Sequence, residues 1–256
     1  MTAWLDLTKK EFRLGLPAFI FSLIVLIGIF GFSIIFGLST DFMWEMLTIG
    51  AFAAVALHVF YLAYYLLYSL DRERKRMHLW LHNPLPTGSI LLAKLVSGLV
   101  YMLITFITTT IVLSIAYGKS IVSINLSEWL TTVILSIITL LLITLLLGCT
   151  YLFFWTIFMA LSRIYNDFFS FVLTFIFFLG AASLLNVIDD LSSLTDWGMI
   201  NGSSVLSGFE LNISNEYHHF EITSTIFYIG HFVWNLVLAT LLFAGSSWIL
   251  DRKVEA

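Results

Sequence analysis

Pro17–Leu38 reads PAFIFSLIVLIGIFGFSIIFGL, 22 residues without a single charge. An α-helix rises about 1.5 Å per residue, so about 20 apolar residues cross the ~30 Å of hydrocarbon in a bilayer. Pro17 stands at the start of the block, where a missing backbone N–H costs nothing. The block predicts a membrane-spanning helix.

Five further apolar blocks follow, at about Met46–Leu70, Ile90–Ala116, Trp129–Leu161, Phe168–Ile188 and Ile222–Leu250. The Trp129–Leu161 block exceeds 20 residues, which allows tilt or projection beyond the membrane. Across all 256 residues 60% are hydrophobic and 11% charged, whereas soluble domains carry about a quarter charged residues. The expected fold is an all-α polytopic membrane protein, one transmembrane domain over residues 1–256 with six spans.

The basic residues give an independent check. With the N-terminus in the cytoplasm, Lys9, Lys10, Arg13, Arg72, Arg74, Lys75, Arg76, Lys94, Arg163, Arg252 and Lys253 all fall inside, and Lys119 alone of the 12 falls outside. Such a bias sets orientation and predicts that both termini are cytoplasmic. The acidic residues divide 9 outside to 7 inside. The external side then carries a formal charge of -8 and weakly favours cationic partners at physiological salt.

Between the spans, three segments stand out. Thr2–Leu16 is too charged to span, but Trp4, Leu5, Phe12 and Leu16 leave an apolar side opposite Lys9, Lys10 and Arg13, the pattern of a short interfacial helix. No cleavable signal pattern precedes the first block. Asp71–Gly88, DRERKRMHLWLHNPLPTG, is the densest charged run, and it closes on a Pro-rich turn. Asp189–Glu221 is long and acidic, without Lys or Arg; its length predicts a structured external segment, with short or re-entrant elements at Val187–Trp197 and Val205–Phe209.

Little in the chain suggests chemistry. The tripeptide at Gly118–Ser120 ends like a phosphate loop, but residue 113 is Leu where such a loop needs Gly. There is no HExxH pair, Cys cluster or GxSxG elbow, and Cys149 reads as a small buried side chain. Lys94 is near enough to the end of its block for its ammonium to reach the interface. His58 reads as an imidazole bonded to a neighbouring helix. Asp189 beside Asp190 reads as a solvated helix end.

Taken together, these features resemble the permease subunit of ABC transporters of the ABC-2 exporter type. Thr2–Leu16 is similar to that family's interfacial helix, Asp71–His82 to its coupling helix, and Asp189–Glu221 to its structured segment before helix six. DRERKRMHLWLHNPLPTGSILLAKL looks like its basic segment, Pro-rich turn and following lysine, here Lys94. The resemblance implies a membrane-spanning subunit of an ATP-driven exporter. By likeness to small Gram-positive permeases, it would move a peptide or amphipathic substrate, or confer resistance to one.

It further implies that ATP and Mg bind in a separate cytoplasmic ATP-binding cassette ATPase dimer, and that this chain is no enzyme and has no cofactor of its own. The ATPase would dock on Arg74, Lys75, Met77, Leu79, Trp80 and Leu81, and external substrate would meet Asp189, Asp190 and Asp196. A second permease subunit, identical or homologous, and membrane lipid complete the expected partners, and nothing points to nucleic acid. The bacterial cytoplasmic membrane is the expected location. The competing reading is a non-transporting immunity or sensor protein that captures an external peptide on its acidic face.

Overall fold

The structure is a computed structural model. It describes residues 2–74, 85–120, 126–189, 195–201, 210–213, 216–219 and 226–254. Almost all of these are helical: α1 (Thr2–Thr40), α2 (Met43–Leu57), a 3-10 turn (His58–Phe60), α3 (Tyr61–Arg74), α4 (Thr87–Ser120), α5 (Leu126–Leu161), α6 (Asp167–Asp189) and α7 (Ile229–Ile249), ending in a π-turn (Leu250–Val254). Among the described residues five helices are long and apolar enough to cross a membrane: Ala3–Thr40, Met43–Arg74, Thr87–Ser120, Val133–Leu161 and Ile229–Arg252.

The expected interfacial helix and the first span form one unbroken helix, with Pro17 inside it. A proline deprives a helix of one backbone bond and crowds the preceding turn, which a membrane helix tolerates where neighbours engage the exposed carbonyls. The carbonyl freed by Pro17 is that of Arg13, four residues back. Just before it the Tyr101 hydroxyl donates to the Phe12 carbonyl at 2.8 Å and that of Tyr65 to the Glu11 carbonyl at 3.4 Å, which ties this stretch to the neighbouring helices. Leu7, Glu11, Gly15 and Ala18 make the buried stripe of this segment, at helical spacing. The segment thus packs against the bundle instead of lying apart from it.

The turn from α1 to α2 follows from local chemistry. Asp41 adopts a left-handed conformation with φ 61°, and the Phe42 N–H returns to the Gly37 carbonyl at 3.1 Å. This is the six-to-one bond that closes a helix on a left-handed residue, a role open to Asp as well as Gly. A Cβ on Gly37 would stand 2.6 Å from Met43 Cα, so the tight reversal needs glycine there.

Inside the bundle α3 lies against α4 and α5, and close approach depends on small residues. Leu62 is held from both sides: a Cβ on Gly98 of α4 or on Gly148 of α5 would come within 2.7 or 2.6 Å of its methyl groups. Leu62, Leu66, Leu70, Leu91 and Leu152 form the main apolar cluster beside this contact. Cys149 is buried in the same cluster, as its sequence context predicts.

Before α7 the described residues include four short strands, a departure from the all-α expectation. β1 (Met199–Asn201) pairs antiparallel with β4 (Ile226–Tyr228), and β2 (Glu210–Ile213) with β3 (Glu216–His219). The last apolar block, expected as helix from Ile222, is strand at Ile226–Tyr228 and helix from Ile229. Isoleucine, phenylalanine and tyrosine side by side suit a pleated strand. Residues 190–194 of Val187–Trp197 and all of Val205–Phe209 lie outside the described residues.

Candidate functional site

With α2 and α3 forming one continuous helical run, Met43–Arg74, contacts gather at one end of the bundle the start of α1, the end of α3, the starts of α4 and α6 and the ends of α5 and α7. Contacts there join residues far apart in sequence, and Lys10, Glu11, Glu73, Arg74, Lys94, Asp167 and Asp251 take part.

At the centre is Lys94. Its side chain is 0% exposed, and its Nζ lies 2.8 Å from Glu11 Oε2 and 2.7 Å from Glu73 Oε2. It also donates to Ser69 Oγ at 3.1 Å, and Ser69 donates to Glu11 Oε2 at 3.4 Å. Ser69 and Glu73 are four apart on α3 and therefore share a face. Lys10 lies 3.9 Å from Glu73 Oε1 from the outside, so two carboxylates are matched by two ammonium groups. A charge removed from water is tolerated only when paired and hydrogen-bonded. Lys94 is therefore a three-way fastener of α1, α3 and α4, and its ammonium is fully buried rather than reaching the interface as its sequence position suggests, because Glu11 and Glu73 meet it inside the bundle.

A second fastener joins α3 to α6. Asn166 caps α6, its Oδ1 accepting from Phe169 N–H at 3.0 Å, the usual satisfaction of a helix's first donors. The next residue, Asp167, is an acid at the positive end of the helix dipole. It accepts from Arg74 Nη2 at 2.6 Å, and the Arg74 guanidinium lies 5.0 Å from the Phe158 ring centre. Two smaller links bring in the ends of the chain: Thr87 donates to Asp251, and Trp4 Nε1 donates to the Ser89 carbonyl at 3.2 Å.

Of the expected docking residues, Arg74 is thus engaged within the bundle. Lys75, Met77, Leu79, Trp80 and Leu81 lie outside the described residues. The two fasteners flank that segment: Glu73 and Arg74 precede it, and α4 with Lys94 follows it.

Deeper in the bundle, the 3-10 turn inserts His58 between helices. Its Nδ1 lies 2.7 Å from the Ala54 carbonyl and its Nε2 3.2 Å from Thr105 Oγ1 of α4. A cavity of about 170 Å³ beside it is lined by Phe21, Leu26, Leu57 and Tyr61. This is the bonded imidazole that the sequence suggests.

At the opposite end, residues 195–201 dock on the start of α7. Ile229 N–H donates to the Gly198 carbonyl and Gly230 N–H to the Trp197 carbonyl, both at 3.2 Å. A Cβ on Gly230 would stand 2.1 Å from the Thr195 carbonyl oxygen. Asp196 Oδ1 meets His231 Nε2 at 2.9 Å, and the imidazole stacks on Tyr228. So Asp196 has a partner on α7. Asp190 and the Asp189 side chain lie outside the described residues.

Among the described residues no cluster of His, Cys, Asp and Glu could hold a metal ion. Compared with protein-family models, curated proteins and solved structures, the chain matches none.

The sequence reading missed the Lys94 cluster. The available signal was Glu11, an acid on the same stripe as Leu7, Gly15 and Ala18, together with a lysine within an apolar block. An ionisable group in a membrane helix calls for a named partner.

Proposed function

We propose that this chain is the membrane-spanning subunit of an ATP-driven exporter in a bacterial cytoplasmic membrane, and that it moves a peptide or amphipathic substrate outward. In this reading α6 is the sixth crossing, since its 23 residues would extend about 34 Å. The basic end is cytoplasmic and the strands before α7 are external.

One observation carries the reading: Glu73 and Arg74, the last residues before segment 75–84, are fastened by ion pairs to Lys10 of α1, Lys94 of α4 and Asp167 of α6. A force applied to that segment would reach four helices at once. Hydrolysis would take place in a separate ATPase dimer, whose nucleotide acts through unequal affinity for two states. Lys75, Met77, Leu79, Trp80 and Leu81 would provide the docking surface, and a second subunit would complete the pathway. Asp189, Asp190 and Asp196 would face the external substrate.

The test is affinity purification in mild detergent from cells that express the chain with its genomic neighbours. An ATPase with a phosphate loop should co-purify, and Trp80→Ala should reduce its recovery. Truncating a buried interface tryptophan costs about 2 kcal/mol or more, roughly 30-fold in affinity. Recovery of the chain alone in every mild detergent, with full peptide immunity in cells, would favour the immunity reading.

A further inference from the structure

Between α3, α5 and α6 lies a cavity of about 710 Å³, within the size range of ligand sites. Each helix contributes one face: Tyr64 and Tyr68 from α3, Trp155 and Phe158 from α5, Phe171 and Phe175 from α6. α5 packs against both α3 and α6 and forms the floor, while the Arg74–Asp167 pair closes the basic end. Along α3 the wall extends from Tyr64 to Arg74, a rise of about 15 Å. That is half of the ~30 Å hydrocarbon thickness, the depth of one leaflet.

Polarity is arranged along the same axis. Aromatic side chains line the deep part, and Asp71, Arg72 and Arg74 stand together at the basic end. Arg74 is held by Asp167, whereas the Arg72 guanidinium lies over the Tyr68 ring at 4.9 Å. Stacking leaves the edge of a guanidinium available to a phosphate. Asp71 beside it disfavours a headgroup with several negative charges and tolerates a single phosphodiester.

We propose that this groove holds one glycerophospholipid of the adjoining leaflet, its phosphodiester on Arg72 and one acyl chain among the aromatic rings. The depth, the one-sided polarity and the position of Arg72 at the rim fit such a molecule. A bare apolar chain would leave Arg72 without an anion, and the site does not depend on the exporter reading.

The test places a benzoylphenylalanine crosslinker at Phe175, which lines the groove, and at Phe177, which is 64% exposed on another face. Full-length protein, delipidated in detergent, is mixed with dioleoyl phosphatidylglycerol or with dioleoylglycerol, which has the same chains and no phosphate. Mass spectrometry then reads the adduct. Position 175 should capture phosphatidylglycerol over dioleoylglycerol, and Arg72→Ala should lower that preference roughly three- to five-fold, as for one exposed charge pair. Arg72→Lys should keep part of it, and position 177 should show no preference. Arg72 is exposed, so its replacement leaves the core intact, and an unchanged gel-filtration profile checks this. Equal capture of both lipids at 175, an unchanged preference in Arg72→Ala, or a crosslink from 175 to a second chain would overturn the proposal.

Discussion

The Nζ of Lys94 lies 2.8 Å from Oε2 of Glu11 across 83 residues of sequence, with both side chains out of contact with water. Removing one partner of such a pair leaves a buried charge uncompensated, at about 3–5 kcal/mol. Lys94→Met should therefore lower the unfolding temperature in detergent by an amount on the order of 10 °C. Glu11→Gln should cost less, because Lys94 keeps Glu73. Combining the two should cost less than their sum, and strictly additive shifts would mean that the pair is not coupled.

The contact of Leu62 with Gly98 and Gly148 gives a second test. Gly148→Ala should destabilise by about 1–3 kcal/mol through overpacking. Adding Leu62→Ala should recover part of that loss, although Leu62→Ala alone is a cavity mutation expected to cost about 2–5 kcal/mol. Thermal unfolding of the four proteins would show the rescue or its absence.

Sidedness is open to labelling with an impermeant thiol reagent in a Cys149→Ala background. Single cysteines at Met199 and Ile164 suit the purpose, because the native side chains are 57% and 75% exposed at opposite ends. Met199→Cys should react in intact cells and Ile164→Cys only after permeabilisation. Thr87 is a poor reporter despite its position at a polar turn, since it is buried against Asp251. Reaction of Ile164→Cys in intact cells would reverse the proposed orientation.

Docking of residues 195–201 on α7 should depend more on Gly230 than on the neighbouring Asp196–His231 contact. Asp196→Asn removes a half-exposed contact worth about 1 kcal/mol or less. Gly230→Val places carbon atoms where the Thr195 carbonyl lies, so the segment must lift away. Limited proteolysis of the detergent-solubilised protein should speed up markedly in Gly230→Val and little in Asp196→Asn.

Membrane spans were legible because each is a local property: a run of apolar residues suffices, and five of the six expected blocks are helices long and apolar enough to cross. His58 and Cys149 were legible for the same reason. Pro17 misled because a proline reads locally as a helix start, whereas here the helix continues through it and the stretch before it is held by Tyr65 and Tyr101 of other helices. Ile226–Tyr228 was absorbed into the last span because a short apolar run does not by itself distinguish strand from helix. The Lys94 cluster was hidden in another way: its four residues are individually ordinary, and distance in sequence conceals that Glu11, Ser69 and Glu73 surround one ammonium.

The same cluster bears on how the chain is made. Glu11, Ser69 and Glu73 all precede Lys94, so each is synthesised before the lysine leaves the ribosome. When α4 enters the bilayer its ammonium meets partners that already wait in the first two spans, and none supplied by α5, α6 or α7 is needed. A protein with the order reversed would have to store an uncompensated lysine in hydrocarbon while the ribosome finished its counterions. Here the N-terminal half can settle its charges as it emerges, which makes it the natural first unit of assembly, on which the later helices close.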